Sequence, residues 1–181
     1  MDTKTALLEA ARQSFLERGY AATSLETLAA GLGLTKAAIY HHYASKRALL
    51  EALLEESSRA AEQALEGHAD MEQALLAFAD AYRERLEPLT IVMTALSGRR
   101  GGDQEAAGLA SRAMQRGMLA LNRYFAERGY SKPAELSATL SSIVHGAYML
   151  AKHLPGLELQ PLLRRGVSVF VRGLSAEGTP R

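Results

Sequence analysis

His41 and His42 stand side by side in a short polar stretch that also holds Lys36, Tyr40 and Lys46. Imidazoles, amines and phenols can ligate a metal, move protons or donate hydrogen bonds to an anion. A helix presents paired metal ligands at i and i+4, whereas adjacent side chains diverge by about 100°. No third ligand lies nearby, so no metal is expected. The chain has no cysteine, which excludes disulfides, thiolate zinc sites and cysteine nucleophiles. No Ser-His-Asp ordering, glycine-rich phosphate loop or paired carboxylate stands out, so neither catalysis nor a cofactor is expected. What remains is hydrogen bonding. Helical spacing puts Lys36, Ala37, Tyr40 and His41 on one side and Ala38, Ile39, His42 and Tyr43 on the other. The first side is polar, short-stemmed at its start and free of carboxylates, as a surface for a DNA major groove should be. The second should face inward, with His42 at its margin.

The elements that must hold this face read as helices throughout. Leu7, Leu8, Ala11 and Phe15 recur at helical spacing and Gly19 closes the segment. Thr23-Ser24-Leu25-Glu26 has a capping-box pattern, with the Thr side chain as the cap, ahead of the stripe Leu25, Leu28, Ala29 and Leu32. A short helix follows from about Thr35 to Tyr43, and Ser45 caps a fourth with the stripe Leu49, Leu50, Leu53 and Leu54. Ala29, Gly33 and Ile39 meet the needs of a helix-turn-helix: a small residue where two helices approach, a positive-φ residue where the chain reverses, and an apolar anchor. Thr35 caps the helix whose free amides suit a phosphate. Lys46 opens the next helix, where a cation opposes the dipole unless an anion lies nearby.

Beyond Gly67 the periodicity predicts longer helices over Met71–Glu87, Pro88–Ser97, Asp103–Arg128, Lys132–Leu154 and Glu158–Leu174. Arg99-Arg100-Gly101-Gly102 reads as a loop. The fold class is all-α: a helix-turn-helix unit over residues 1–45, a helical body over 46–174 and a flexible tail over 175–181. The last two helices are apolar on several sides, and Ala138, Ser141, Ser142 and Gly146 would admit a close neighbour. A two-fold four-helix interface would cover them, with Leu140, Val144, Ala147, Ala151, Leu163, Val167 and Phe170 at its centre. Intrachain burial of the same stripes is the alternative. Tyr82, Met93, Met114, Met118, Asn122, His145 and Tyr148 are the residues that could line a cavity in the body, although Met114 and Met118 also fit a core stripe.

Bulk properties limit the partners only loosely. The 181 residues carry a formal net charge of +1, with six cations and four anions among residues 1–50. That asymmetry has the sign of a nucleic-acid end but little weight. Met1–Tyr20 is amphipathic and charged rather than a secretory signal, and no apolar run approaches a membrane span, so a cytoplasmic protein without a membrane partner is expected.

Residues 20–50, YAATSLETLAAGLGLTKAAIYHHYASKRALL, resemble the DNA-binding region of TetR-family transcriptional regulators. The resemblance rests on Gly19–Ser24, Leu28-Ala29, Gly33-Leu34-Thr35, Tyr40-x-His42-Tyr43 and Ser45-Lys46-x-x-Leu49. It implies a homodimeric, ligand-responsive repressor on a palindromic double-stranded DNA operator, with a small-molecule effector held in the body. Lys36, Ala37 and His41 would then read bases, while Thr23, Ser24, Thr35, Tyr40, His42 and Lys46 would hold the DNA backbone. The family often has glycine where Ala37 stands and usually phenylalanine where Tyr43 stands. The extra methyl bears on base preference, and the extra hydroxyl needs a partner if buried. The rival readings are a helical small-molecule-binding protein or enzyme with a merely structural helix-turn-helix, and a protein-interaction adaptor.

Overall fold

The computed structural model describes residues 2–81 and 104–176, and every regular element among them is helical. In order these are α1 (Thr3–Arg18), α2 (Leu25–Gly31), α3 (Lys36–His42), α4 (Lys46–Ala64), α5 (residues 71–81), α6 (Gln104–Glu127), α7 (Pro133–His153) and α8 (Leu159–Ala176). The expected helix over Pro88–Ser97 and the loop at 99–102 lie outside the described residues, as do positions 177–181. α8 continues two residues past the Leu174 end that its periodicity predicts.

The chain divides into two compact units. The first holds α1, α2, α3, α4 as far as Ser57, and α6 as far as Ala113. Its core gathers Leu7, Ala11 and Phe15 of α1, Leu25, Leu28 and Ala29 of α2, Ile39 of α3 and the Leu49, Leu50, Leu53, Leu54 stripe of α4. Asp2 caps α1 by accepting from the Lys4 amide, and Gly19 ends it at φ 84° with its N–H on the Phe15 carbonyl. The α2 cap differs from the one expected. Ser24, not Thr23, accepts from the Thr27 amide, so the helix starts one residue later than the capping-box reading requires. Thr23 is instead buried, donating from Oγ1 to the Gly19 carbonyl at 3.0 Å and lying 2.9 Å from Ser14 Oγ. A hydroxyl satisfied inside the unit no longer needs a helix amide.

The second unit takes α4 from Ser58, α5, α6 from Met114, α7 and α8. Phe78, Leu121, Phe125, Leu140, Val144, Leu163, Val167 and Phe170 form the heart of its core. Phe125 is its hub, with edge-on contacts to Tyr124, Tyr130 and Phe170. A Schellman turn closes α6: Gly129 at φ 79° donates to the Ala126 carbonyl and Tyr130 to that of Phe125. Pro133 starts α7, and its carbonyl accepts from the hydroxyl of Ser137, a polar residue otherwise lost in the core.

Six of the seven residues expected at the centre of a dimer interface belong to this intrachain core. Leu140, Val144, Ala147, Leu163, Val167 and Phe170 are all buried within one chain, and only Ala151 is half-buried. The physical reason is that α7 and α8 pack on one another and on Phe78, Leu121 and Phe125, which covers their strongest stripes without a second copy. Within the chain α7 and α8 approach closely at Gly166 against Ile143, and Ala138 and Ser142 are exposed. Leu150, Leu154 and, on α8, Val169 stay exposed.

Candidate nucleic-acid interface

The face of α3 depends on a turn that its sequence builds twice over. Gly33 sits at φ 66°, donating to the Ala30 carbonyl, while the Leu34 amide reaches the Ala29 carbonyl at 2.8 Å. This is a Schellman turn, which a residue with a side chain would enter at a cost. Thr35 then caps α3, its Oγ1 accepting from the Ala38 amide at 3.2 Å. Ile39 is fully buried against α2 and α1, and Tyr43 closes the same side. Lys36, Ala37, Tyr40 and His41 are consequently left exposed, with His42 and Ala38 half-buried at the margin. The His41 and His42 rings meet edge to face with centroids 5.5 Å apart, on diverging sides of the helix.

The exposed face carries an ion pair that α3 alone does not reveal. Lys36 Nζ lies 3.1 Å from Glu26 Oε1, and Tyr40 Oη donates to the same oxygen at 3.0 Å. Lys36 also approaches the Tyr40 ring at 5.6 Å. Hydrogen bonds from its own backbone amide, then from Lys36 and Tyr40, hold the Glu26 carboxyl below its ordinary pKa. The same carboxylate raises the Lys36 ammonium and the Tyr40 phenol above theirs. Sequence reasoning assigned Glu26 to a helix cap and missed this role. Its only trace in the sequence is a carboxylate one residue inside α2.

The backbone-holding candidates are placed unevenly. Ser24 and Thr35 cap helices at the surface, and Tyr40 and half-buried His42 lie on or beside the exposed face. Thr23 is not brought to that surface. Lys46 is half-buried, donating from Nζ to the carbonyls of Tyr20 at 2.7 Å and Ala21 at 3.4 Å, with its charge 4.3 Å from the Tyr20 ring centroid. Its place at the start of α4 is therefore offset by acceptors of its own chain, an explanation the sequence did not offer. Ser45 caps α4 through the Ala48 amide, as expected.

Of the cavity candidates, Met114, Met118 and Asn122 are half-buried on α6, Tyr148 is buried in the second core and His145 is exposed on α7. Tyr82 and Met93 lie outside the described residues.

Tyr43, the departure from phenylalanine, buries its hydroxyl without a hydrogen-bond partner among the described residues. Burial first, and then the carboxylates of Glu56 and Asp2, push its phenol pKa up. An unpaired buried hydroxyl costs about 1–3 kcal/mol of desolvation. Tyr43→Phe should therefore raise the unfolding free energy by about 1 kcal/mol in urea denaturation followed by circular dichroism. A loss of stability would mean that the hydroxyl has an acceptor.

A turn with positive φ, a docked seven-residue helix and a carboxylate-free exposed face on that helix define a helix-turn-helix protein with an all-helical body. Residues 7–53 match the family described as bacterial regulatory proteins, tetR family. The HTH-type transcriptional regulator TtgR of Pseudomonas putida is 41% identical over 54 residues, covering 30% of this chain and 26% of that protein. The HTH-type transcriptional repressor KstR2 of Mycobacterium tuberculosis is 44% identical over 48 residues, covering 26% and 24%. These matches span about a quarter of the length of the curated relatives. The fold is shared further: the crystal structure of a transcriptional regulator (TerR/AcrR family) from Aquifex aeolicus VF5 superposes with a TM-score of 0.75 at 20% identity, covering 98% of this chain and 100% of that one. The likeness to that family thus lies in residues 7–53, and beyond them it is a likeness of fold. Among the described residues no helix is long and apolar enough to cross a membrane.

Proposed function

We propose that this chain is a sequence-specific, DNA-binding transcriptional repressor that acts in the cytoplasm as a homodimer on a palindromic operator. One observation carries the reading. The α3 face presents Lys36, Ala37, Tyr40 and His41 to solvent with no carboxylate on the helix itself, on a helix docked by Ile39 in helix-turn-helix geometry. Lys36, Ala37 and His41 read base edges; Ser24, Thr35, Tyr40, His42 and Lys46 hold the backbone. Thr23, whose hydroxyl is held inside the first unit, does not. The helical body over residues 46–174 pairs two copies and binds a small-molecule effector. Pairing uses the outer sides of α7 and α8, where Leu150, Leu154 and Val169 remain exposed, rather than the residues of the core. The effector weakens DNA binding only by its differential affinity for two dimer states.

The test is selection from random duplexes with the purified protein. An enriched palindrome is the expected result, because a two-fold dimer reads two equivalent half-sites. Recovery of unenriched sequence at moderate salt would overturn the proposal and favour a small-molecule-binding protein with a structural helix-turn-helix.

A further inference from the structure

The convergence of Lys36 Nζ and Tyr40 Oη on one oxygen of Glu26 is unusual for a face meant for DNA. A carboxylate there repels phosphate, and although Glu26 accepts from its own first-turn amide, the side chain that caps α2 is that of Ser24. Glu26 and Lys36 are both well exposed, at 49% and 70% of their side-chain surface, so no packing forces them together.

We propose that Glu26 is a specificity-determining positioning residue: its carboxylate holds the Lys36 ammonium at the reading face and withholds it from the phosphates of non-operator DNA. This role rests on the DNA-binding reading above. A duplex attracts any free cation through its phosphates, whatever its sequence, and that attraction works against selectivity. An ammonium has three donors and its Glu26 contact uses one, so the others can meet base-edge acceptors while the pair persists. Where the bases offer no acceptor, Lys36 reaches a phosphate only by leaving Glu26 or by bringing that carboxylate up against a second anion. The penalty falls on the wrong sequence, as selective recognition requires. Its size is that of an exposed ion pair, about twofold to fivefold in affinity, and salt screens it.

The experiment measures fluorescence anisotropy with a selected duplex and a shuffled duplex of equal composition, across about 50–200 mM salt. Wild type, Glu26→Gln, Lys36→Ala and the double variant are compared, with circular dichroism showing that each keeps its helices. Glu26→Gln should bind the shuffled duplex about threefold tighter, with lower selectivity. Its salt dependence should steepen by about one unit for each subunit's freed lysine. In the Lys36→Ala background the same substitution should leave the salt dependence unchanged. Selective wild-type binding with unaltered selectivity in Glu26→Gln would overturn the role of Glu26 alone. So would an identical shift with and without Lys36, which would mean simple removal of a negative charge. A wild-type protein that binds no duplex selectively would overturn the DNA-binding reading and this role with it.

Discussion

Ile39→Ala should lower the unfolding free energy of the first unit by about 2–5 kcal/mol, the range for removing a fully buried aliphatic side chain. The reason for expecting the upper part of the range is the size of α3. It has seven residues, well short of the roughly 12–15 at which an isolated helix becomes marginal in water, so packing rather than propensity keeps it folded. Ile39 is its most deeply buried residue, at 0% exposure, and Tyr43 supports the same side from just beyond the helix end. The loss should be local before it is global. Backbone amides of α3 should exchange with solvent faster than those of α1, where Leu7, Ala11 and Phe15 hold the core independently. Urea denaturation and hydrogen exchange together check this. A loss below about 1 kcal/mol would mean that the pocket collapses around alanine and that α3 is anchored elsewhere. If α3 reads DNA, the same variant should lose operator affinity at temperatures where its α1 and α4 amides remain protected, because the reading side chains no longer share one rigid frame.

The turn and the docking of α3 were legible in the sequence because each depends on residue types with one physical use. Gly33 takes a positive φ, Thr35 caps, and Ile39 fills the space that Ala29 leaves between helices. Helical periodicity alone separated Lys36, Ala37, Tyr40 and His41 from the buried side. What sequence could not supply was partnership across elements. Glu26 lies ten residues from Lys36 and fourteen from Tyr40, and no periodicity links positions on two helices at that separation. Lys46 posed the same difficulty: its acceptors are backbone carbonyls of Tyr20 and Ala21, and every residue type carries a carbonyl. The cap of α2 was misplaced by one because Thr23 and Ser24 are both good caps. Only the buried Ser14 and Gly19 partners of Thr23 decide between them. The stripes of α7 and α8 were legible as covered, by a second chain or alternatively by their own. Amphipathicity fixes which side is covered and says nothing of what covers it.

Gly166→Ala gives the sharpest test of how α7 and α8 meet, because its sign is in question. In an exposed helix interior, alanine in place of glycine stabilises by about 1 kcal/mol. Here a Cβ built on Gly166 would lie 2.5 Å from Cγ2 of Ile143, far inside any contact that real side chains make. Cγ2 is bonded directly to the Ile143 Cβ, and β-branched side chains on a helix have one strongly preferred rotamer, so the methyl group has little freedom to swing aside. Relief requires the two helices to separate, which disturbs Leu140, Val144, Leu163 and Val167 together. Overpacking of this kind costs about 1–3 kcal/mol, enough to outweigh the propensity gain. The expected result is a net loss of about 1–2 kcal/mol in urea denaturation. Ile143→Ala in the same chain should return most of it, because the new methyl then occupies space the isoleucine has vacated. The two substitutions should therefore be strongly non-additive, by about 1–2 kcal/mol. A stabilising Gly166→Ala, or strict additivity with Ile143→Ala, would place the α7–α8 contact elsewhere. It would also reopen the possibility that Leu140 and Val167 are covered by a second copy rather than by their own chain.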